Sequence, residues 1–165
     1  LNGQTDYSYN KEYVAQNERA DYLRYHALHA TLSTQWSGLS WFQPKLTLAG
    51  NLSWKKPDAF SATDNLLKNA YYSLTMDFYP ISKLRLYADF SQSVFEIAHS
   101  HYSVNSFLNA GLRYDFHPRW TVSADLSNLL NRKDYEVSLY QGANFQYYRV
   151  PLRGREFLVS LRFKY

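Results

Sequence analysis

Residues 157–165 read FLVSLRFKY. Taken two at a time, Phe157, Val159, Leu161, Phe163 and Tyr165 fall on one side, and Leu158, Ser160, Arg162 and Lys164 on the other. A period of two marks a β-strand with unlike faces, because successive side chains of a pleated chain point to opposite sides. This stretch has an oily face, a face that carries charge, and an aromatic last residue on the oily side.

The same pattern recurs along the chain. Leu28, Ala30, Leu32, Thr34 and Trp36 alternate with His29, Thr31, Ser33 and Gln35. Further runs follow at Leu46–Trp54, Tyr72–Phe78, Leu84–Phe90, Leu108–Phe116 and Trp120–Leu126, each with polar residues between the apolar ones. With the last stretch these make seven strands. No helical period competes over a comparable length. An eighth strand is a candidate in TDYSYNKEY, where Tyr7 and Tyr9 alternate with Asp6 and Ser8 before Lys11 and Glu12 interrupt.

The links between runs alternate in length. Tyr79-Pro80-Ile81-Ser82 and His117-Pro118-Arg119 are short and carry proline, which presets a turn and cannot donate to a ladder. The links around 56–69, 97–103 and 130–153 are longer. SGLSWFQP, near 37–44, is long for a tight turn.

Composition narrows the class. The chain has 165 residues, the size of one domain. Aromatics are 18%, with 16 Tyr and 10 Phe, yet mean hydropathy is −0.50. Such a chain interleaves oily and polar residues instead of segregating them. It has no cysteine, so disulfides and thiolate metal sites are excluded. The net charge of +4 is scattered, without the compact basic run that nucleic acid requires. No apolar run approaches the roughly 20 residues of a membrane helix. The opening LNGQTDYSYN has neither Met nor a signal-like stretch and reads as an interior cut or a processed end.

Alternation alone fits a soluble sandwich or a lipocalin-like barrel as well as a membrane barrel. Strand length and aromatic placement favour the membrane. The runs approach or reach the roughly nine residues that a tilted spanning strand needs. Trp36, Trp54, Phe78, Phe116 and Trp120 lie near strand ends, where rings form a girdle at the water–lipid boundary. The expectation is an all-β fold: an antiparallel up-and-down transmembrane β-barrel segment of about seven strands, possibly eight. It forms one unit over 1–165 without a plug domain.

The terminal strand resembles the assembly signal of bacterial outer-membrane proteins. That implies a lipid-facing row of Phe157, Val159, Leu161, Phe163 and Tyr165, read by the barrel-assembly machinery. A second resemblance covers about residues 115–165. SADLSNLLNRKDYEV, followed by VPLRGREFLVSLRFKY, looks like the end of TonB-dependent receptors, most like those of Bacteroidetes. The family's Asn-Leu-Phe/Leu-Asn-x-x-Tyr pattern corresponds to Asn128, Leu129, Leu130, Asn131 and Tyr135, with one extra residue before the Tyr.

The resemblance implies the last part of a larger barrel, of about 22 strands in such transporters. It also implies outer-membrane location, active uptake of a nutrient (siderophore, cofactor, glycan or peptide), and TonB and plug as partners through the intact receptor. Residues 56–69, 97–103, 130–153 and 1–20 would then be external. A complete eight-stranded barrel, such as an adhesin, a pore or a lipid-modifying enzyme, is the alternative.

Little in the sequence suggests catalysis. His99 and His101 lie two apart but lack a third ligand, and zinc sites use three or four. His26 and His29 lie three apart, which on a strand puts them on opposite faces. There is no nucleophile elbow and no phosphate loop. Asp77, Asp89, Asp125, Arg85, Arg113 and Arg162 alternate toward the polar face as a wall of mixed sign. Tyr140, Phe145, Tyr147 and Tyr148 are candidate external ligand contacts, since rings with polar tips suit recognition. The expectation is a non-enzyme without cofactor or metal.

Overall fold

The computed structural model describes residues 1–16, 19–55, 65–98, 101–141 and 144–165. The described elements are β1 (Asn2–Gln16), β2 (Arg19–Gln35), β3 (Phe42–Lys55), β4 (Asn65–Ile81), β5 (Leu84–Ala98), β6 (His101–His117), β7 (Trp120–Ser127), β8 (Asp134–Gln141), β9 (Asn144–Pro151) and β10 (Glu156–Phe163). No helix is present among the described residues. The main sheet has eight strands in the order β1-β2-β3-β4-β5-β6-β7-β10, every neighbour antiparallel. β8 and β9 form a separate hairpin inserted between β7 and β10.

The seven sequence-predicted strands are all present, and four expectations change. The N-terminal segment is a full strand. β1 runs through Lys11 and Glu12 because each residue has a ladder partner on β2, Arg24 and Leu23. Residues 97–103 do not form a long loop, since β5 extends to Ala98 and β6 begins at His101. The 130–153 link contains the β8–β9 hairpin. Within 56–69, residues 65–69 belong to β4 and 56–64 lie outside the described residues. The sheet is open: β1 and β10 are its two edges, and no pairing between them closes a barrel among the described residues.

The register carries one face through all eight strands. Ladder partners share a face. Leu32 faces Leu48, which faces Tyr72. Phe78 faces Leu86, then Leu112, Ala124 and Val159. The opposite face holds the polar set, with Thr75 against Asp89 and Asn109, and Gly111 against Asp125. A slip of one residue at any pair would mix the two faces, and none occurs along these rows.

Among the described residues nothing packs on the apolar face. Among the described residues Leu67 is the only buried apolar side chain, while Phe157 is 66% and Leu161 62% exposed. Water would penalise such a surface by about 25 cal/mol for every Å² left uncovered. The oily face therefore requires a cover that the described residues do not supply.

The edge of that face is oblique to the ladder. The backbone N–H of Trp36, at the end of β2, donates to Pro44 (3.0 Å), and that row continues through Met76, Ala88 and Ala110 to Leu126 on β7. The terminal aromatic of β7 is Trp120, six residues along the strand from Leu126. Six residues are about 20 Å, and five strand spacings are about 24 Å, so the aromatic boundary crosses the rows at roughly 40°. The opposite boundary slides the same way. His26 and Trp54 are partners on β2 and β3, whereas polar residues begin at Lys68 on β4, Gln92 on β5 and Ser106 on β6. Gln92 and Ser106 lie in the row of Leu48 and Tyr72, well short of the row of Trp54.

Candidate functional site

The polar face of β4 to β7 and β10 brings the predicted wall together. Arg85 and Arg113 are cross-strand partners, a repulsive placement that each relieves with its own carboxylate. Arg85 Nε donates to Asp77 Oδ1 at 2.7 Å, and a second guanidinium nitrogen lies 2.6 Å from the same oxygen. Arg113 lies 3.5 Å from Asp115, whose Oδ1 also accepts from the Thr121 hydroxyl. The Tyr87 hydroxyl donates to Asp125 Oδ1 at 2.5 Å, and its ring lies over Gly111, where a Cβ would come within 2.6 Å of the ring. Arg85, Tyr87, Asp89, Arg113, Asp125 and Arg162 line a cavity of about 330 Å³. Arg113 Nε is buried there, without a partner among the described residues.

At the opposite end of the same face the β8–β9 hairpin is fastened to β5 and β6. Asn105 is fully buried. Its Nδ2 donates to the Glu136 carbonyl (2.6 Å) and its Oδ1 accepts the Glu136 N–H (3.0 Å). One side-chain amide thus bonds both backbone groups of one residue of β8, as a neighbouring strand would. The Ser103 hydroxyl donates to Glu136 Oε2 at 2.7 Å. Tyr135 sets its ring edge-on to Phe95 and beside Phe107. Arg149 bonds Asp134 at 2.6 Å and lies 3.7 Å from Glu136. These contacts polarise the titrations. The Arg149 hydrogen bond holds Asp134 below the usual carboxylate range. The Ser103 hydroxyl, and then Tyr147 and Arg149, hold Glu136 low. Desolvation, and then Glu136, push the Tyr147 phenol up.

The hairpin neck is closed by the residues of the expected motif. Asn128 and Asn131 have φ of 53° and 55°, the left-handed region that Asn tolerates better than most residues. Asn128 Nδ2 donates to the carbonyls of Arg132 (2.8 Å) and Arg153 (2.9 Å), and its Oδ1 accepts the Arg132 N–H (2.8 Å). The Leu129 N–H donates to Leu108 O (2.8 Å), while Leu129 O accepts from Arg155 Nε (3.0 Å). Leu130 is exposed. The motif thus ties the exit of β7 to the entry of β10.

The remaining predicted residues fall as follows. Phe157, Val159, Leu161 and Phe163 share the apolar face of the edge strand β10, and Phe163 packs on Trp120 at 4.7 Å and on Tyr165 at 6.2 Å. Trp36, Phe78, Phe116 and Trp120 lie at the short-turn end. Trp54 lies at the other end, stacked on His26 (5.0 Å, 3°) beside Tyr7 and Tyr9, so the aromatics expected to form one girdle fall at both ends of the strands. His26 and His29 face opposite sides as expected, His29 partnering Asp6. Tyr147 and Tyr148 are exposed on β9, while Tyr147 leans on Glu136 and Tyr148 donates to Gln146. The side chains of Tyr140 and Phe145 lie outside the described residues, as does His99. Among the described residues no group of three or more His, Cys, Asp or Glu is placed to hold a metal. The Asn105 clamp was not predicted. Nothing local distinguishes Asn105 from other polar-face residues of β6.

Comparison with protein-family models, curated proteins and solved structures finds no match to this chain.

Proposed function

We propose that this chain is an outer-membrane β-barrel segment, the C-terminal part of a TonB-dependent receptor that takes up a scarce nutrient. The observation that carries the membrane reading is the oblique boundary. Strands crossing a flat lipid slab at roughly 40° must leave it at progressively different ladder rows, and membrane barrels tilt their strands by about 35–45°. A soluble sandwich has no flat external boundary to impose that drift, and it covers its apolar face with a second layer.

The open edges support a segment of a larger barrel, since an unpaired edge is not viable in lipid. The Asn128–Tyr135 cluster, which closes the link before the last strand, supports the receptor resemblance. In this reading the polar wall of Asp77, Arg85, Asp89, Arg113, Asp125 and Arg162 faces the lumen and the plug. The β8–β9 hairpin lies over the external mouth. Lipid covers the apolar face, and the barrel-assembly machinery reads β10. TonB acts only through the intact receptor.

One observation favours a second reading. The main sheet has eight strands, the smallest number of the bacterial membrane barrels. Joining β1 to β10 would make a complete small barrel. The native mass separates the two. An antibody to this chain, used on outer-membrane fractions, detects a band several times 19.4 kDa if the chain is a receptor segment. A band near 19.4 kDa that shifts on heating supports the small barrel. Absence from the outer membrane overturns both.

A further inference from the structure

We infer that the outward face of β1 and β2 holds the phosphate of an anionic lipid headgroup, gripped by Lys11 and Arg24. This rests on the membrane reading above. Lys11 and Arg24 are direct ladder partners, and Arg24 shares its face with His26 and Leu28. Like charges placed directly opposite each other destabilise a sheet. At Arg85 and Arg113 the same repulsion is relieved by Asp77 and Asp115. At Lys11 and Arg24 no carboxylate relieves it among the described residues.

The acids of β1 to β4 all lie on the other face. Asp6 partners His29, Glu12 partners Leu23, Asp21 partners Val14, and Asp77 partners Tyr87. Glu96, on β5, lies beside Lys68 and accepts that residue's backbone N–H (3.0 Å), so Lys68 has an acid next to it. The Lys11–Arg24 pair has none among the described residues.

Its place along the strand fits the ligand. One row toward the middle of the sheet lie the rings of Tyr9, His26 and Trp54, the belt where an amphipathic ring meets the headgroup level. One row beyond lie Tyr13 and Tyr22, their ring centroids 5.3 Å apart. The Lys11 ammonium sits 4.0 Å from the centroid of the Tyr22 ring, which keeps it on this face by cation–π attraction. Two cations between two aromatic rows, immediately outside an oily wall, present a fixed positive site at the depth of a lipid phosphate. Lys supplies a point charge, and Arg a fork that matches two phosphate oxygens.

The test uses the intact native protein, extracted from the outer membrane and exchanged into neutral detergent. Native mass spectrometry then measures retention of a bis-phosphorylated diglucosamine lipid, with the dephosphorylated lipid and inorganic phosphate as comparisons. The expected result is retention of the phosphorylated lipid alone, at least tenfold weaker in the Lys11→Gln/Arg24→Gln double variant. The Lys45→Gln variant, on the opposite face, should retain it fully. Equal retention by both variants in a protein that still fractionates with the membrane overturns the inference and leaves the membrane reading standing. Binding of inorganic phosphate as tight as of the lipid overturns the lipid as source. A protein that does not fractionate with the membrane overturns both.

Discussion

Removing the Asn128 side chain should open the neck of the β8–β9 hairpin. In Asn128→Ala two donated hydrogen bonds and one accepted bond are lost, to Arg132 O, Arg153 O and the Arg132 N–H. Each is worth about 1 kcal/mol net. Alanine must also hold the left-handed backbone that Asn128 adopts at φ 53°, at a cost of about 1 kcal/mol. The sum is about 3 to 4 kcal/mol of local stability. Every 1.4 kcal/mol is roughly tenfold in an equilibrium, so the open population should rise by two orders of magnitude or more.

Trypsin reads this directly, because Arg132, Lys133, Arg153 and Arg155 flank the clamp. When opening is fast, cleavage tracks the open population. Cleavage at these sites should accelerate on the order of 100-fold in Asn128→Ala. Asn128→Gly, free of the backbone cost, should accelerate several-fold less. A rate for Asn128→Ala within twofold of the parent would refute the clamp.

Other consequences follow from the same geometry. Asn105→Ala should release β8 from the wall and raise amide hydrogen exchange at Glu136 and its neighbours by at least tenfold, with the main sheet unchanged; unchanged exchange at Glu136 would mean the clamp is idle. Asp134 and Glu136 have folded values below their ordinary ones, so their contribution is present above the usual carboxylate range and is lost as pH falls through those lowered values. Hairpin protection, taken relative to the intrinsic exchange rate at each pH, should therefore fall on acidification below about pH 4, and a protection factor flat down to pH 2 would contradict this. Gly111→Val would drive a branched side chain into the Tyr87 ring and should destabilise the folded protein by about 2 kcal/mol or more. Tyr87→Ala in the same chain should restore much of that loss, which urea unfolding followed by tryptophan fluorescence would detect.

Much of the sheet was legible because its causes are local. The alternation in FLVSLRFKY, and in Leu84 to Phe90, follows from two unlike environments on the two sides of a strand, and each residue reports its own side. Lys11 and Glu12 misled for a related reason. Their strand state comes from ladder partners on β2 and not from an apolar face, since the face that Lys11 shares with Arg24 is cationic and aromatic there. The hairpin was hidden behind Leu129 and Leu130, which break alternation as the chain leaves β7. Yet Tyr135, Val137 and Leu139 do alternate with Glu136 and Ser138. Asn105 could not be singled out at all. It is buried only because residues some 30 positions later fold back onto it, and no local pattern encodes a partner at that distance. The charged wall was legible by sign and spacing, whereas the pairing of Arg85 with Asp77 and of Tyr87 with Asp125 depends on register and rotamers.

The most direct test of the central claim uses the absence of cysteine. Single cysteines at Leu86, Ala88, Leu112 and Ala124, and at Tyr87, Asp89, Ser91 and Ser123, can be spin-labelled in the native protein reconstituted into lipid. Accessibility to oxygen and to a water-soluble nickel chelate is then compared. Labels at the first four positions should favour oxygen strongly, labels at the second four should favour the chelate, and the preference should reverse at every step along β5. Chelate access that is the same on both faces would mean the apolar face does not meet lipid, and the membrane account would be wrong.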